Sequence, residues 1–226
     1  MTVGFRILSA PPPAPASLLR ALAAQAVSHL SDSMGRSQTT SALRPMHSGR
    51  TLLCGQALTV RTAPGDHLMV QKALDLARLG DVIVVDTCGA LETAMIGELM
   101  TRYAAGRGIA GFVIDGAIRD AADIAARDLP VYARGVSPRG PARFGPGEIN
   151  ADVSISGMVV HPGDIICGDA DGLVAVRLAD AEHVLAASQA LQVRETATLK
   201  AIAEGNLDRS WIDNTLRSRG CDMGLG

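Results

Sequence analysis

Apolar residues in the first half of the chain switch between helical spacing and short continuous runs. The helical spacing predicts a helix from Ser17 to about Leu30, with Ser17 as its N-cap. A strand is predicted over 57–61 and a helix over 66–78, and the β-branched run 81–86 is typical of a strand buried on both faces. Helices over 97–107 and 120–128 then alternate with strands over 111–115 and 130–133. This alternation predicts parallel strands joined by crossover helices.

The pattern changes after Gly135, where glycine and proline become dense. Short apolar runs separated by turn signals predict an antiparallel β region, with strands over 152–156, 158–160, 164–167 and 173–176. A long helix is predicted over 180–204, and a polar tail follows it. We therefore expect a single α/β domain over 17–205, and the second half of this domain should be rich in β-strands. A proline-rich arm over 1–16 precedes the domain, and a tail over 206–226 follows it.

Composition narrows the classes of function. The chain has 226 residues, of which 47% are hydrophobic and 19% charged, so a globular protein is expected and a disordered chain is excluded. A net charge of −2 offers no electrostatic footprint for a nucleic acid. No apolar run reaches the roughly 20 residues of a membrane span, so no membrane partner is expected. The four cysteines form no C-x-x-C pair, which favours reduced thiols and a cytoplasmic location.

The sequence does not support a dinucleotide-binding site or a histidine-rich metal site. Gly106, Gly108 and Gly111 spell the dinucleotide fingerprint, but a predicted helix precedes them and a strand follows, which is the reverse of the order that the fingerprint needs. We interpret them as the end of a helix and a turn. The five histidines show no paired spacing, so a histidine-rich metal site is disfavoured and any metal is expected to be held by oxygen ligands.

A cluster of polar residues survives at the ends of two predicted elements. Glu98 opens a helix, and Arg119 and Asp120 follow a buried strand. Ligands of open α/β sheets lie at the carboxyl ends of strands. The N–H groups near the helix start could hold a substrate carboxylate, and the guanidinium of Arg119 could bind anionic oxygens.

Asp120 offers one hard oxygen ligand for Mg²⁺ or Mn²⁺, which keep several waters and take further ligands from a substrate such as a 2-oxo acid. Glu98, if it lies close to Asp120, could accept hydrogen bonds from metal-bound waters and orient them. The alternative on the residues alone is a solvated helix start, where the helix dipole favours Asp.

The spacing of these residues resembles a known family signature. Glu98, twenty intervening residues and Arg119-Asp120 are similar to the D/E-x20-R-D signature of the 4-hydroxy-4-methyl-2-oxoglutarate and 4-carboxy-4-hydroxy-2-oxoadipate aldolases. Segments of the same family occur here in the same order, from about residue 17 to 205. They are 31–35, 64–66, 80–86, 116–120, 130–134, 145–147, 160–164 and 168–172.

The resemblance implies an αββα sandwich of the swivelling β/β/α type, a homotrimer or dimer of trimers, and a divalent-metal-dependent retro-aldol lyase that also decarboxylates oxaloacetate. It implies that Asp120 binds the metal and that Glu98, where many members have Asp, acts through metal-bound water. Arg119 would stabilise the enolate.

The resemblance further implies that the backbone of Gly97, Glu98, Leu99 and Met100 would hold the substrate carboxylate. The same family contains the regulator of ribonuclease E activity A, a binding protein that lacks the aspartate after the arginine. A non-catalytic regulator, or a lyase of the same chemistry on another substrate, is therefore the alternative.

Other residues receive weaker interpretations. Glu195 lies on the apolar stripe of the last long helix and is either solvated or, as the family arrangement implies, a glutamate that enters the active site of a neighbouring subunit. Asp66 and His67, at a helix start, are interpreted as capping residues. The arginines Arg134, Arg139 and Arg143 either surround an anionic substrate or line a subunit interface, and the interface is the favoured interpretation. No residue is identified as the base that removes the substrate hydroxyl proton, so a metal-bound water is expected to do so.

Overall fold

The computed structural model describes residues 2–48 and 51–224, which divide into two compact units, Met1–Ser188 and Gln189–Gly226. The strands are β1 (Phe5–Ile7), β2 (Thr39–Thr40), β3 (Arg44–Pro45), β4 (Leu53–Thr62), β5 (Asp81–Asp86), β6 (Gly111–Ile118), β7 (Val131–Val136), β8 (Gly147–Ile149), β9 (Val153–Ile155), β10 (Met158–Val160), β11 (Ile165–Gly168) and β12 (Leu173–Val176). The helices are α1 (Ala16–Ala23), α2 (Val27–Ser33), α3 (Leu68–Leu76), α4 (Glu98–Gly106), α5 (Ala121–Ala125), α6 (Ala181–Ala203) and α7 (Ser210–Ser218).

The first unit is built on a mixed sheet. Strands β4, β5, β6 and β7 are neighbours and parallel, joined by α3, α4 and α5, as the alternating pattern predicts. On the other side of β4 the sheet continues through β11 and β12, which pair antiparallel. Strand β8 pairs with the end of β4, and β1 adds to β8 in parallel. The carboxyl ends of β5 and β6 therefore lie side by side.

Three apolar clusters account for the layers of this unit. Helices α3, α4 and α5 cover one face of β4 to β7, and the opposite face packs on β11, β12 and the β9–β10 hairpin. Helices α1, α2 and the start of α6 cover the outer face of β11 and β12. Along β5, Val82 and Val84 face the central cluster while Ile83 and Val85 face the helices. The αββα arrangement of an α/β fold is thus confirmed.

Two local predictions are wrong. The helix expected over 17–30 is interrupted between Ala23 and Val27, where the side chain of Gln25 turns inward and accepts a hydrogen bond from Ser188 Oγ at 2.8 Å. Ser17 is not the N-cap, because the helix begins one residue earlier behind Pro15, which fixes the extended entry to the first turn. The strand expected over 57–61 is the middle of the longer β4.

Strand pairing also brings two distant cysteines together. Cys54 on β4 lies opposite Cys167 on β11, with 3.7 Å between their sulfur atoms. Both are free thiols.

The unit Gln189–Gly226 contains the rest of α6 and α7. Apolar side chains of this part, among them Val193, Leu199 and Ile202, are exposed in the single chain. Within the described residues, no helix combines the length and the apolar character that crossing a bilayer requires.

Candidate active site

The loop between β5 and α4 runs beside the end of β6 and sets the site. The N–H of Met95 donates to the carbonyl of Ala117 at 2.8 Å, and the N–H of Arg119 donates to the carbonyl of Ile96 at 3.0 Å. These bonds extend the parallel pairing beyond the strands themselves. As a result, the first turn of α4 starts next to the residues that follow β6.

Asp120 ties the two segments together. Its Oδ2 accepts a hydrogen bond from the N–H of Glu98 at 2.9 Å, so the carboxylate caps the start of α4 from another element. Arg119 Nε lies 3.8 Å from the same oxygen. Oδ1 takes part in no hydrogen bond among the described residues, and the side chain is 40% exposed. One carboxylate oxygen is therefore available to a ligand.

The backbone at Asp120 is held in the left-handed region, with φ 56° and ψ 39°. A residue other than glycine occupies this region at a cost of order 1 kcal/mol, and such strain is common at functional sites. Asp is one of the residues that tolerate it best. The conformation lets the side chain turn back toward α4 while its backbone begins α5.

Gly97 leaves room for this arrangement. A Cβ at residue 97 would collide with Oδ2 of Asp120 and would lie 3.0 Å from Cγ of Arg119. Its φ of −152° is ordinary extended backbone, so the need for glycine comes from the close approach alone. The glycine therefore allows the helix start and the Arg-Asp pair to share one space.

The carboxylate of Glu98 faces arginines. Its Oε1 accepts hydrogen bonds from Arg102 Nε at 2.7 Å and Arg127 Nη2 at 2.9 Å. The hydrogen bond from Arg102, helped by Arg127, lowers the pKa of Glu98 despite some burial. Glu98 is thus ionised, and its contact with Asp120 is made through its backbone N–H. Its predicted action through metal-bound water stays a prediction.

These residues line one cavity of about 210 Å³. The predicted substrate and metal ligands Gly97, Glu98, Leu99, Met100, Arg119 and Asp120 are all in its wall. Helix geometry leaves the N–H groups of Leu99 and Met100 without acceptors in their own helix. The cavity therefore offers two backbone donors, and its wall also includes Arg119 and Arg143 and the acidic residues Glu98, Asp120 and Asp123.

Four further polar residues of the wall were not among the predicted site residues: His67, Gln71, Asp123 and Arg143. His67 was interpreted as a cap, yet its ring is inside the cavity wall and only 5% exposed. Burial lowers its pKa, and the positive charges of Arg143 and Arg119 lower it further. Its position directly after Pro64-Gly65-Asp66, one of the family segments, was the available signal.

Asp66 is a buried structural carboxylate, in line with the capping interpretation. Its Oδ1 accepts from the N–H of Leu68 at 2.9 Å, and Oδ2 accepts from the N–H groups of Phe144 at 2.6 Å and Gly145 at 3.0 Å. Burial raises its pKa, but the three backbone donors together outweigh burial and bring the pKa below its usual value. Asp66 thereby fixes the segment that carries Arg143.

Glu195 lies in α6, within the unit Gln189–Gly226, in a stretch of exposed side chains. Its predicted role concerns a neighbouring subunit and stays a prediction. Arg134 pairs with the buried carboxylate of Asp115 and donates to Ser156 Oγ at 2.8 Å, so within this chain it ties β7 to the loop after β9.

The oxygen ligands of this cavity suit a hard divalent ion only if water and substrate supply most of the ion's ligands. The described residues contain no cluster of three or more His, Cys, Asp or Glu side chains placed to hold a metal. Mg²⁺ needs only one or two protein carboxylates when waters and a substrate fill its other positions. Asp120, which lines the cavity and has no hydrogen bond to Oδ1 among the described residues, meets that requirement.

A comparison with known proteins places this arrangement in a family. The model of the RraA-like family, described as Aldolase/RraA, matches residues 27–175, which include the cavity residues His67, Glu98, Arg119 and Asp120. The chain belongs to this family. The family thus predicted from the Glu98 to Asp120 spacing is confirmed.

Among the similar proteins, one is named as an aldolase and others are named as inhibitors of RNA processing. The chain is 38% identical over 176 residues to the "Putative 4-hydroxy-4-methyl-2-oxoglutarate aldolase" of Halalkalibacterium halodurans, covering 77% of this chain and 83% of that protein. Its fold is similar to that of the RNA-processing inhibitor RraA from Thermus thermophilus, with a TM-score of 0.63, 29% identity and coverage of 67% and 92% of the two chains.

It is also similar to RraAS2 of Streptomyces coelicolor, described as an unusual member of the RNase ES inhibitor RraA family, with a TM-score of 0.74 and 25% identity. That match covers 83% of this chain and 98% of the other. Membership of this family supports a lyase of the aldolase type. The family also includes proteins described as inhibitors of RNA processing.

Proposed function

We propose that this protein is a divalent-metal-dependent lyase that cleaves a 4-hydroxy-2-oxo acid into pyruvate and a second oxo acid, and that it also decarboxylates oxaloacetate. One observation carries the proposal. Arg119, Asp120 and the first turn of α4 line the same small cavity, with Asp120 hydrogen-bonded to the N–H of Glu98. Family membership and the 38% identity to a protein named as an aldolase support the same reaction class.

Each group in the cavity has a part in this reaction. The N–H groups of Leu99 and Met100 bind the carboxylate of the 2-oxo acid at the positive end of α4. The guanidinium of Arg119 lies where it can stabilise the negative charge that develops on the oxo oxygen as the C3–C4 bond breaks. Glu98 is held by Arg102 and Arg127, so it keeps its charge and orients the start of α4.

Asp120 would hold the divalent ion, Mg²⁺ or Mn²⁺. Such an ion, when bound, polarises the 2-oxo group and stabilises the enolate charge. Loss of carbon dioxide from oxaloacetate leaves the same pyruvate enolate as aldol cleavage, which is why one set of residues serves both reactions. The assembly proposed for this enzyme is a homotrimer or a dimer of trimers, and its location is the cytoplasm.

A coupled assay tests the proposal. Purified protein with Mg²⁺ should release pyruvate from 4-hydroxy-4-methyl-2-oxoglutarate and from oxaloacetate, followed with lactate dehydrogenase, and EDTA should abolish the release. Asp120→Ala should abolish both reactions, while circular dichroism shows a folded chain. Normal rates in that variant would remove Asp120 from the site.

The second candidate function is inhibition of RNA processing by protein binding, favoured by the similarity to RraA of Thermus thermophilus. Asp120 follows Arg119 here, which favours the enzyme. A protein that releases no pyruvate from either substrate with Mg²⁺ or Mn²⁺ would favour the inhibitor instead.

A further inference from the structure

His67 stands at the start of α3 with one ring nitrogen engaged and the other without a partner. Its Nδ1 lies 3.2 Å from the carbonyl oxygen of Met95. A carbonyl oxygen can only accept, so this hydrogen bond places the ring proton on Nδ1. Nε2 consequently carries a lone pair and is a hydrogen-bond acceptor.

Nε2 is buried, and no described residue gives it a hydrogen bond. Buried polar atoms in folded proteins are almost always paired with protein or water, and exceptions call for an explanation. His67 belongs to the wall of the cavity that holds Arg119 and Asp120. A ligand that reaches His67 from that cavity would supply the partner that Nε2 lacks.

Burial is the main reason that the ring is neutral. Burial lowers the pKa of His67 below its usual value, Arg143 and Arg119 lower it further, and the Met95 hydrogen bond and Asp66 oppose this shift without reversing it. The carboxylates Glu98, Asp120 and Asp123 line the same cavity. At neutral pH, His67 is therefore an imidazole and can receive a proton.

The chemistry of Nε2 selects one group of the substrate. A 4-hydroxy-2-oxo acid presents carboxylates, an oxo oxygen and a hydroxyl, and only the hydroxyl can donate a hydrogen bond. We propose that Nε2 of His67 accepts the proton of the C4 hydroxyl and is the general base of the aldol cleavage. The inference rests on the proposed function and assigns the base that the sequence left to a metal-bound water.

The proton balance is complete. His67 takes the hydroxyl proton, the oxygen forms a double bond to C4, and the electron pair of the C3–C4 bond passes into the pyruvate enolate. The imidazolium formed on His67, or solvent, then supplies a proton to C3, which becomes the methyl group of pyruvate. No oxidant or reductant is needed.

Oxaloacetate separates this inference from the proposed function. Its decarboxylation gives the same enolate but requires no removal of a hydroxyl proton. The ratio of cleavage rate to decarboxylation rate therefore isolates the step assigned to His67, because Arg119 and Asp120 serve both reactions.

The decisive variant is His67→Asn, whose amide can still donate to the Met95 carbonyl but cannot act as a base. We expect kcat for 4-hydroxy-4-methyl-2-oxoglutarate cleavage to fall at least about a hundredfold, with oxaloacetate decarboxylation within about threefold of the unmodified protein. His183→Asn makes the same change at an exposed histidine and should leave both rates unchanged.

Three results would overturn the inference: a variant with unchanged cleavage, a variant in which both reactions fall together, or a native protein that decarboxylates oxaloacetate but cleaves no 4-hydroxy-2-oxo acid. A native protein inactive on both substrates refutes the proposed function itself, and the inference falls with it.

The pH dependence of the native protein provides a measurement that needs no variant. The cleavage-to-decarboxylation ratio should rise with pH through a pKa below the usual histidine value of about 6.5 and then level off. The titration of groups that serve both reactions affects the two rates equally and therefore does not change this ratio. Both rates are measured between pH 5 and 8. A cleavage-to-decarboxylation ratio that stays constant over this range would remove His67 as the base.

Discussion

At the scale of single residues, the site depends on an aspartate that serves two segments. Asp120 accepts a hydrogen bond from the N–H of Glu98 through Oδ2, and the residue lines the cavity. It does so from a left-handed backbone conformation, which turns the side chain toward α4. The arginine before it is positioned by its own N–H, which is bonded to Ile96. Two adjacent residues in the chain thus lie at one strand end, where the substrate is proposed to bind.

Replacing Arg119 by lysine tests the geometry of the guanidinium rather than its charge. We expect kcat/KM for both substrates to fall about a hundredfold, because an ammonium group cannot supply the planar fork of donors. Steady-state kinetics with pyruvate detection measures this. Arg36→Lys, at an exposed ion pair with Asp32, is the control and should be neutral. Near-normal kinetics would take Arg119 out of the mechanism.

At the scale of elements, α4 has a glycine at each end, the N-cap Gly97 and the last residue Gly106, and their surroundings differ. A Cβ at Gly97 would collide with the Asp120 carboxylate, whereas a Cβ at Gly106 meets no atom within 4 Å. The first glycine permits a close approach between elements, and the second only ends a helix.

The matched substitutions Gly97→Ala and Gly106→Ala should therefore have opposite effects. Gly97→Ala should abolish most activity because Asp120 and Arg119 must move, while Gly106→Ala should keep full activity and raise the free energy of unfolding by up to about 1 kcal/mol. Urea unfolding and pyruvate assays on both variants measure these changes. Equal activity of the two variants would contradict the close approach at Gly97.

The segment before β8 depends on Asp66. Asp66→Asn should lower the free energy of unfolding at pH 7 by about 1–3 kcal/mol, because an amide replaces a carboxylate that accepts three buried N–H groups. The pKa of Asp66 is lowered in the folded chain, so its stabilisation is complete above the unfolded value of about 3.9 and is lost as pH falls through the folded value.

Urea unfolding at several pH values below 4 measures the difference between the two proteins. The native protein should lose stability more steeply than the Asn variant as pH falls. Parallel pH dependence of the two proteins would show that another group carries the stabilisation.

At the scale of the whole molecule, we predict that a second subunit completes the site. The cavity residues of the first unit include Arg119 and Asp120, and Glu195 belongs to the unit Gln189–Gly226. The family arrangement implies that this glutamate acts on a neighbouring subunit. That prediction can be tested in solution.

Mixing two inactive variants, Glu195→Ala and Asp120→Ala, should restore activity. In a random symmetric oligomer, about a quarter of the sites would combine an intact Asp120 with an intact Glu195 from the neighbour. Activity after joint unfolding and refolding, compared with each variant refolded alone, measures this. Full activity of Glu195→Ala by itself would remove that residue from the site.

Periodicity predicted the parallel core because it is a local property. Asp81–Asp86 agrees with its predicted bounds, and the glycines Gly106, Gly108 and Gly111 end α4 and lead into β6 as interpreted. The interruption of the predicted helix after Ala23 could not be predicted from periodicity. It depends on the pairing of Gln25 with Ser188, a residue 163 positions away.

The sequence by itself determined the alternation of elements, the family and the residues that follow β6, because these depend on local pattern and on a spacing that any chain of the family shares. Only the tertiary structure decided that Glu98 faces two arginines, that Cys54 meets Cys167, and that His67 lines the cavity with an unpaired nitrogen. Such facts depend on contacts between segments distant in the chain, and no local periodicity encodes which side chains those contacts bring together.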